Sequence, residues 1–308
     1  MTPPLVQPAR LRPGDVVRII VPSGPMFFKE AFAAGVALLS ARYQVRFDPA
    51  VLLARQGFLA GSDEQRQGDL RDALGDPEAR ALFMGRGGYG LLRIASEIDP
   101  ELLRRHPKPI VGFSDGTVLL ACAARAGVSA IHGPVVTQLP RLPEADRAAL
   151  FALLESPHPQ TLLDGLQTLR PGTATGRLVG GNLELFSRLV GTKLLPDLDG
   201  AILFFEEVGE RPYRIDRLLT HLELAGVFDR VAGVVVGDLV DCVEPTDSCL
   251  ASPSALEVVA ERLSRLGLPV ALGGRFGHGE RNLALPYGVG ARLDTRAGTL
   301  AALESAVI

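Results

Sequence analysis

Short apolar runs alternate with helical spacing along the first half of the chain. DVVRIIVPSGP (15–25) is a buried-strand pattern that ends in turn residues. FKEAFAAGVALLSAR (28–42) then carries the 3.6-residue spacing of a helix, and YQVRFDPAV is a second strand. GSDEQRQGDLRDALG (61–75) is a polar helix, with Ser62 or Asp63 as its cap. ARALFM (79–84) is a further strand that runs directly into GRGGYG, LLRIASEI is helical, and PIVGF is a strand again. Strands in alternation with helices predict an α/β fold with a parallel sheet covered on both faces.

The pattern degrades between residues 141 and 176, where one helix is followed by proline- and glycine-rich text. This predicts two domains: residues 1–155, a linker over 156–175, and residues 176–308. The second half shows strands at AILFFEE (201–207) and VAGVVVGDL (231–239) and helices at RIDRLLTHLELAG and SALEVVAERLSRLG. Its tail, ARLDTRAGTLAALE, reads as a hairpin turning at Arg296 to Gly298.

Composition narrows the function classes. Of 308 residues, 47% are hydrophobic and 22% charged, which suits a globular chain with a substantial core. The formal net charge of −3 and the scattered arginines give no basic stripe for nucleic acid. No apolar run approaches the ~20 residues of a membrane span, and none near the start has signal-peptide length. Cys122, Cys242 and Cys249 are sparse and unpaired in spacing, as in a reducing compartment. A soluble cytoplasmic protein is the expectation, with Cys122 a core filler. The histidines are dispersed and no HExxH occurs, so no metal site and no cofactor are expected.

Gly112-Phe113-Ser114-Asp115-Gly116 matches G-x-S-x-G between a strand and a helix. There Ser114 is either a nucleophile on a tight elbow or an ordinary helix cap. A nucleophilic serine needs a base and an orienting acid. His278 lies in a glycine-rich loop that can aim a side chain into a cleft. His132, after a strand, is either structural or cleft-lining; His106, His158 and His221 offer less. Glu206 ends an apolar strand, where open α/β sheets place their sites, and strand alternation turns the adjacent Glu207 the other way. GRGGYG either cradles phosphate or offers backbone N–H groups to a reacting carbonyl.

With these pieces placed, the sequence resembles the serine LD-carboxypeptidase family of bacterial cell-wall recycling, related to microcin-immunity peptidases. VPSGP, FLAGSDEQRQGDLRDAL, MGRGGYG, PKPIVGFSDGTVLL, IHGP, LVGGNLELF, FFEEVGERPYRIDRLLTHLELAGVFD and GGRFGHGERNLALPYGVGARLD carry the likeness in order, over nearly the whole chain. The resemblance implies two α/β domains with the site between them. It implies Ser114 as nucleophile, His278 as base and Glu206 as the orienting acid, with Asp115 and Gly88 N–H groups as oxyanion donors. Arg86, Tyr89 and Asn182 are its substrate-binding candidates, although Arg86 has a competing role as partner of a protein carboxylate. Glycine at 116 departs from many relatives and invites confusion with α/β-hydrolases, whose nucleophile and acid share one sheet. The implied reaction releases a terminal D-amino acid from a murein tetrapeptide. Cleavage of a peptide–nucleotide linkage and a silent peptide-binding protein are the alternatives. A homodimer is left open.

Overall fold

Each apolar run of the first half forms a short strand in the computed structural model, which describes residues 3–245 and 253–308. β1 (Val16–Ile20), β2 (Gln44–Arg46), β3 (Ala81–Met84), β4 (Ile110–Gly112) and β5 (Ala130–His132) pair in parallel, in the order β5-β4-β3-β1-β2. Every residue of β3 and β4 is buried, which is why these strands read as unbroken apolar text rather than as alternation. Helices Lys29–Ser40, Asp63–Gly75 and Thr117–Arg125 join them. Ser62, not Asp63, caps the second of these. Its hydroxyl accepts the Gln65 N–H while the Gln65 side chain accepts the Ser62 N–H.

The second sheet is mixed. It contains β6 (Thr161–Leu163), β7 (Gln167–Arg170), β8 (Thr173–Asn182), β9 (Ile202–Val208), β10 (Gly233–Val240) and β11 (Val270–Leu272). β12 (Leu285–Tyr287) leaves it and pairs antiparallel with β5, placing Leu285 opposite His132. β13 (Gly290–Asp294) and β14 (Thr299–Ala302) then form the expected hairpin in the second sheet.

Two boundaries differ from the sequence reading. Residues 156–175 are not a bare linker, because β6, β7 and the start of β8 lie there. The glycines that suggested a linker make tight turns instead, with Gly165 at φ 66° and Gly172 at φ 151°. Nor is the second half confined to its own sheet, since β12 completes the edge of the first. Cys122 and Cys242 are buried, whereas Cys249 lies outside the described residues. Among the described residues no helix is long and apolar enough to cross a membrane.

Candidate active site

β4 ends at Gly112, and the chain reverses through Phe113 into a single tight turn, Ser114–Gly116, before helix Thr117–Arg125. Ser114 has φ 61°, a left-handed conformation that only one other non-glycine residue, Asp241, adopts among the described residues. Such a conformation is strained for an L-residue and persists only when its surroundings hold it. No side chain caps this turn or the helix after it, so Ser114 is not serving as the helix cap. The flanking glycines have a packing cause. A Cβ at Gly112 or Gly116 would lie 2.5 or 2.6 Å from the Met84 sulfur at the end of β3.

GRGGYG leans on this elbow. A Cβ on Gly87 would come within 2.9 Å of the Ser114 hydroxyl, and Gly88 has φ 117°. Asp115 is buried, and its carboxylate accepts the Leu91 N–H at 2.9 Å, tying the elbow to the end of that loop. Burial raises the Asp115 pKa, and the N–H groups of Leu91 and Gly90 oppose the shift. Arg66 reaches in from the polar helix and bonds the carbonyls of Pro22 and Gly90, although its guanidinium is almost fully buried. Nothing in GSDEQRQGDLRDALG marks that arginine as an interior one.

Ser114, His278, Gly87, Gly88 and Arg86 line one pocket of about 380 Å³, with Phe28 on its wall. Arg86 is half-buried. It donates to the Pro25 carbonyl at 2.5 Å and packs on the rings of Phe27 and Phe28, each 5.5 Å away. No carboxylate pairs with it among the described residues, and burial lowers its pKa. Tyr89 is turned outward, exposed and edge-on to Phe58, and does not line the pocket.

Glu206 and His278 meet from the second half. Glu206 is fully buried on β9, and its Oε2 lies 2.6 Å from His278 Nδ1. Gly277 makes room for this contact, since a Cβ there would stand 2.6 Å from the same oxygen. The Phe113 ring packs on His278 at 4.7 Å. Asp238, on β10, was missed by sequence reasoning, although it sits near a strand end as Glu206 does. Burial and the charge of Glu206 push its pKa up to about 6.

Glu207 turns away. It accepts from the Asn182 side chain, the Glu184 N–H and the Val208 N–H, each at 2.8 Å. Burial pushes its pKa up to about 7 against those three donors. Asn182, a substrate-binding candidate of the resemblance, does not line the pocket. Its amide nitrogen is committed to Glu207 and its oxygen caps helix Leu183–Leu189 through the Leu185 N–H. His132 is fully buried, with neither ring nitrogen bonded and Phe113, Phe204 and Phe276 around it. His106, His158 and His221 do not line the pocket.

The fold and pocket are those of a two-sheet α/β chain in which a strained serine turn from one half faces a histidine–glutamate pair from the other. The chain belongs to the LD-carboxypeptidase family: residues 17–133 match its N-terminal domain and residues 175–293 its C-terminal domain. It is a hydrolase of the peptidase class. It is 35% identical to a probable murein peptide carboxypeptidase of Bacillus subtilis, over 98% of this chain and 95% of that one. It is 27% identical to the muramoyltetrapeptide carboxypeptidase structure from Oxalobacter formigenes, with a TM-score of 0.80 over 93% of this chain and 97% of that one. Microcin immunity protein MccF, solved with glutamyl sulfamoyl guanosine, shares the fold at a TM-score of 0.88 and 21% identity, over 98% and 99% of the two chains. The single-sheet α/β-hydrolase layout is excluded, because Ser114 follows a strand of the first sheet and Glu206 lies on a strand of the second.

Proposed function

We propose that the chain is a serine LD-carboxypeptidase that removes the terminal D-amino acid from murein tetrapeptides. Ser114 is the nucleophile. His278 takes its proton through Nε2, because Nδ1 is held by Glu206, which fixes the tautomer and balances the imidazolium. The alkoxide attacks the carbonyl of the L-centre. The N–H groups of Asp115 and Gly88 receive the oxyanion, and losing one such donor typically costs ~10²–10³ in rate. Collapse breaks the C–N bond as His278 returns the proton to the leaving amine. Water, deprotonated by His278, then releases the peptide from Ser114. Arg86 holds the terminal carboxylate, a role suited to a guanidinium on the pocket wall that has no carboxylate partner among the described residues. The substrate is a wall fragment recycled in the cytoplasm.

The observation that carries this reading is the pairing of a left-handed Ser114 with a Glu206-bound His278 on one pocket. The test is incubation with murein tetrapeptide and tripeptide, followed by mass spectrometry. Loss of D-alanine from the tetrapeptide alone is expected, and Ser114→Ala should abolish it. An unchanged tetrapeptide with the wild-type protein would sink the reading.

A further inference from the structure

The loop carrying His278 belongs to the second half of the chain, but its fixed points come from the first. Asp146 lies in the first turn of helix Glu144–Glu155 and is fully buried. Both of its oxygens accept Arg281 Nε at 2.8 Å, and Arg281 Nη2 adds a further bond. Its Oδ2 also accepts the Asn282 N–H at 3.2 Å. Asn282, buried as well, donates its side-chain amide to Gln138 Oε1 at 2.7 Å and accepts the Gly277 N–H at 3.0 Å. Gln138 closes the ring by donating to the Gly277 carbonyl at 3.1 Å. Gly277, the residue before His278, is thus bonded through both its N–H and its C=O.

The ring meets a specific need. Gly277 has φ 117°, in a region open mainly to glycine, and glycine is the residue with the most alternative conformations. Something must select one of them. A matched polar ring whose Asp146, Asn282 and Gln138 are buried, with Arg281 partly exposed, does so sharply, because any other arrangement leaves buried donors and a buried carboxylate without partners. Asp146, Arg281 and Asn282 do not line the pocket, so they do not meet substrate.

We propose that Asp146, acting through Arg281 and Asn282, is the positioning residue that seats His278 against Ser114 across the two halves. The proposal rests on the catalytic reading of Ser114 and His278. A reacting group displaced by about 1 Å can lose ~10² in rate, so breaking the ring should reach turnover before it reaches affinity.

The test compares wild-type, Asp146→Asn and Arg281→Lys full-length proteins. Three quantities are read: kcat and KM on tetrapeptide, the rate of Ser114 labelling by a serine-reactive phosphonate, and the downfield imidazole proton shared by His278 and Glu206 in the NMR spectrum. Asp146→Asn is expected to lower kcat and labelling ~10²-fold with KM within about threefold, and to broaden the imidazole proton. Arg281→Lys, which keeps a cation beside Asp146 but not the fork of bonds, should lose less than Asp146→Asn. If Asp146→Asn fails to fold, Asn282→Ser, which leaves the ion pair intact, carries the same expectation. Unchanged kcat with an unchanged imidazole proton in a folded variant overturns the proposal. If the wild type cleaves and labels nothing but the proton still broadens in the variant, the positioning role stands and the catalytic reading falls.

Discussion

Glu206 and Glu207 are consecutive on β9 and serve opposite sides of it: Glu206 bonds His278, and Glu207 bonds Asn182 and the start of helix Leu183–Leu189. The two substitutions to glutamine should therefore separate. Glu206→Gln keeps the shape but no longer fixes the imidazole tautomer, and turnover should fall ~10³–10⁴-fold. Glu207→Gln loses one acceptor for the Glu184 N–H or the Asn182 amide. It should cost roughly 1–3 kcal/mol of stability while leaving turnover within tenfold. Steady-state kinetics and thermal unfolding of both variants decide it. A dead Glu207→Gln beside an active Glu206→Gln would reverse the assignment.

Gly87 tests how closely the glycine loop serves Ser114. A methyl group there meets the Ser114 hydroxyl at 2.9 Å. The backbone of Gly87 is not in the left-handed region, so alanine brings no conformational penalty of that kind. Gly87→Ala should unfold near the wild-type temperature yet label with phosphonate and turn over ~10²-fold more slowly, a loss on the scale of a missing oxyanion donor. Wild-type labelling would show that the loop stands off from Ser114 in solution.

Arg86 is tested on both partners at once. Arg86→Met should lower kcat/KM on tetrapeptide ~10²-fold, mainly through KM, in keeping with the ~1.5–3 kcal/mol of a charge-assisted bond. A tetrapeptide whose terminal carboxylate is amidated should be a poor substrate for both proteins, with little further loss on mutation. Additive losses would place the carboxylate elsewhere.

The parts of the site that were legible in sequence are those set by local rules. A strand, a tight turn and a helix follow from PIVGFSDGTVLL, and the period of two along AILFFEE separates Glu206 from Glu207. The parts that stayed hidden depend on partners distant in the chain. The bond from Asn182 to Glu207 was not legible because the two lie 25 residues apart. The burial of Arg66 was not legible because its carbonyl partners belong to two loops that only the folded sheet brings together. β6 and β7 were read as linker because short strands next to glycine turns have too few residues to show a period. The return of β12 to the first sheet is a pairing between residues more than 150 apart, which no local pattern encodes.

His132 makes a prediction about pH and stability. It is fully buried among Phe113, Phe204 and Phe276, and burial, aided by the nearby His278, pushes its pKa down to about 3. In the unfolded chain the same ring titrates near its ordinary value of about 6.5. Above that pH both states hold it neutral and it contributes no slope. Between about 6.5 and 3 the unfolded state binds a proton that the folded state refuses, so stability falls as the pH falls, by about 1.4 kcal/mol per unit. His132→Leu removes this proton and leaves the carboxylates to act equally in both proteins. Urea unfolding of the two at pH 7.5, 6 and 5 should show the variant gaining on the wild type by close to that amount per unit below pH 6.5, and not above it. Parallel stability curves across the range would mean that His132 takes up a proton in the folded protein after all.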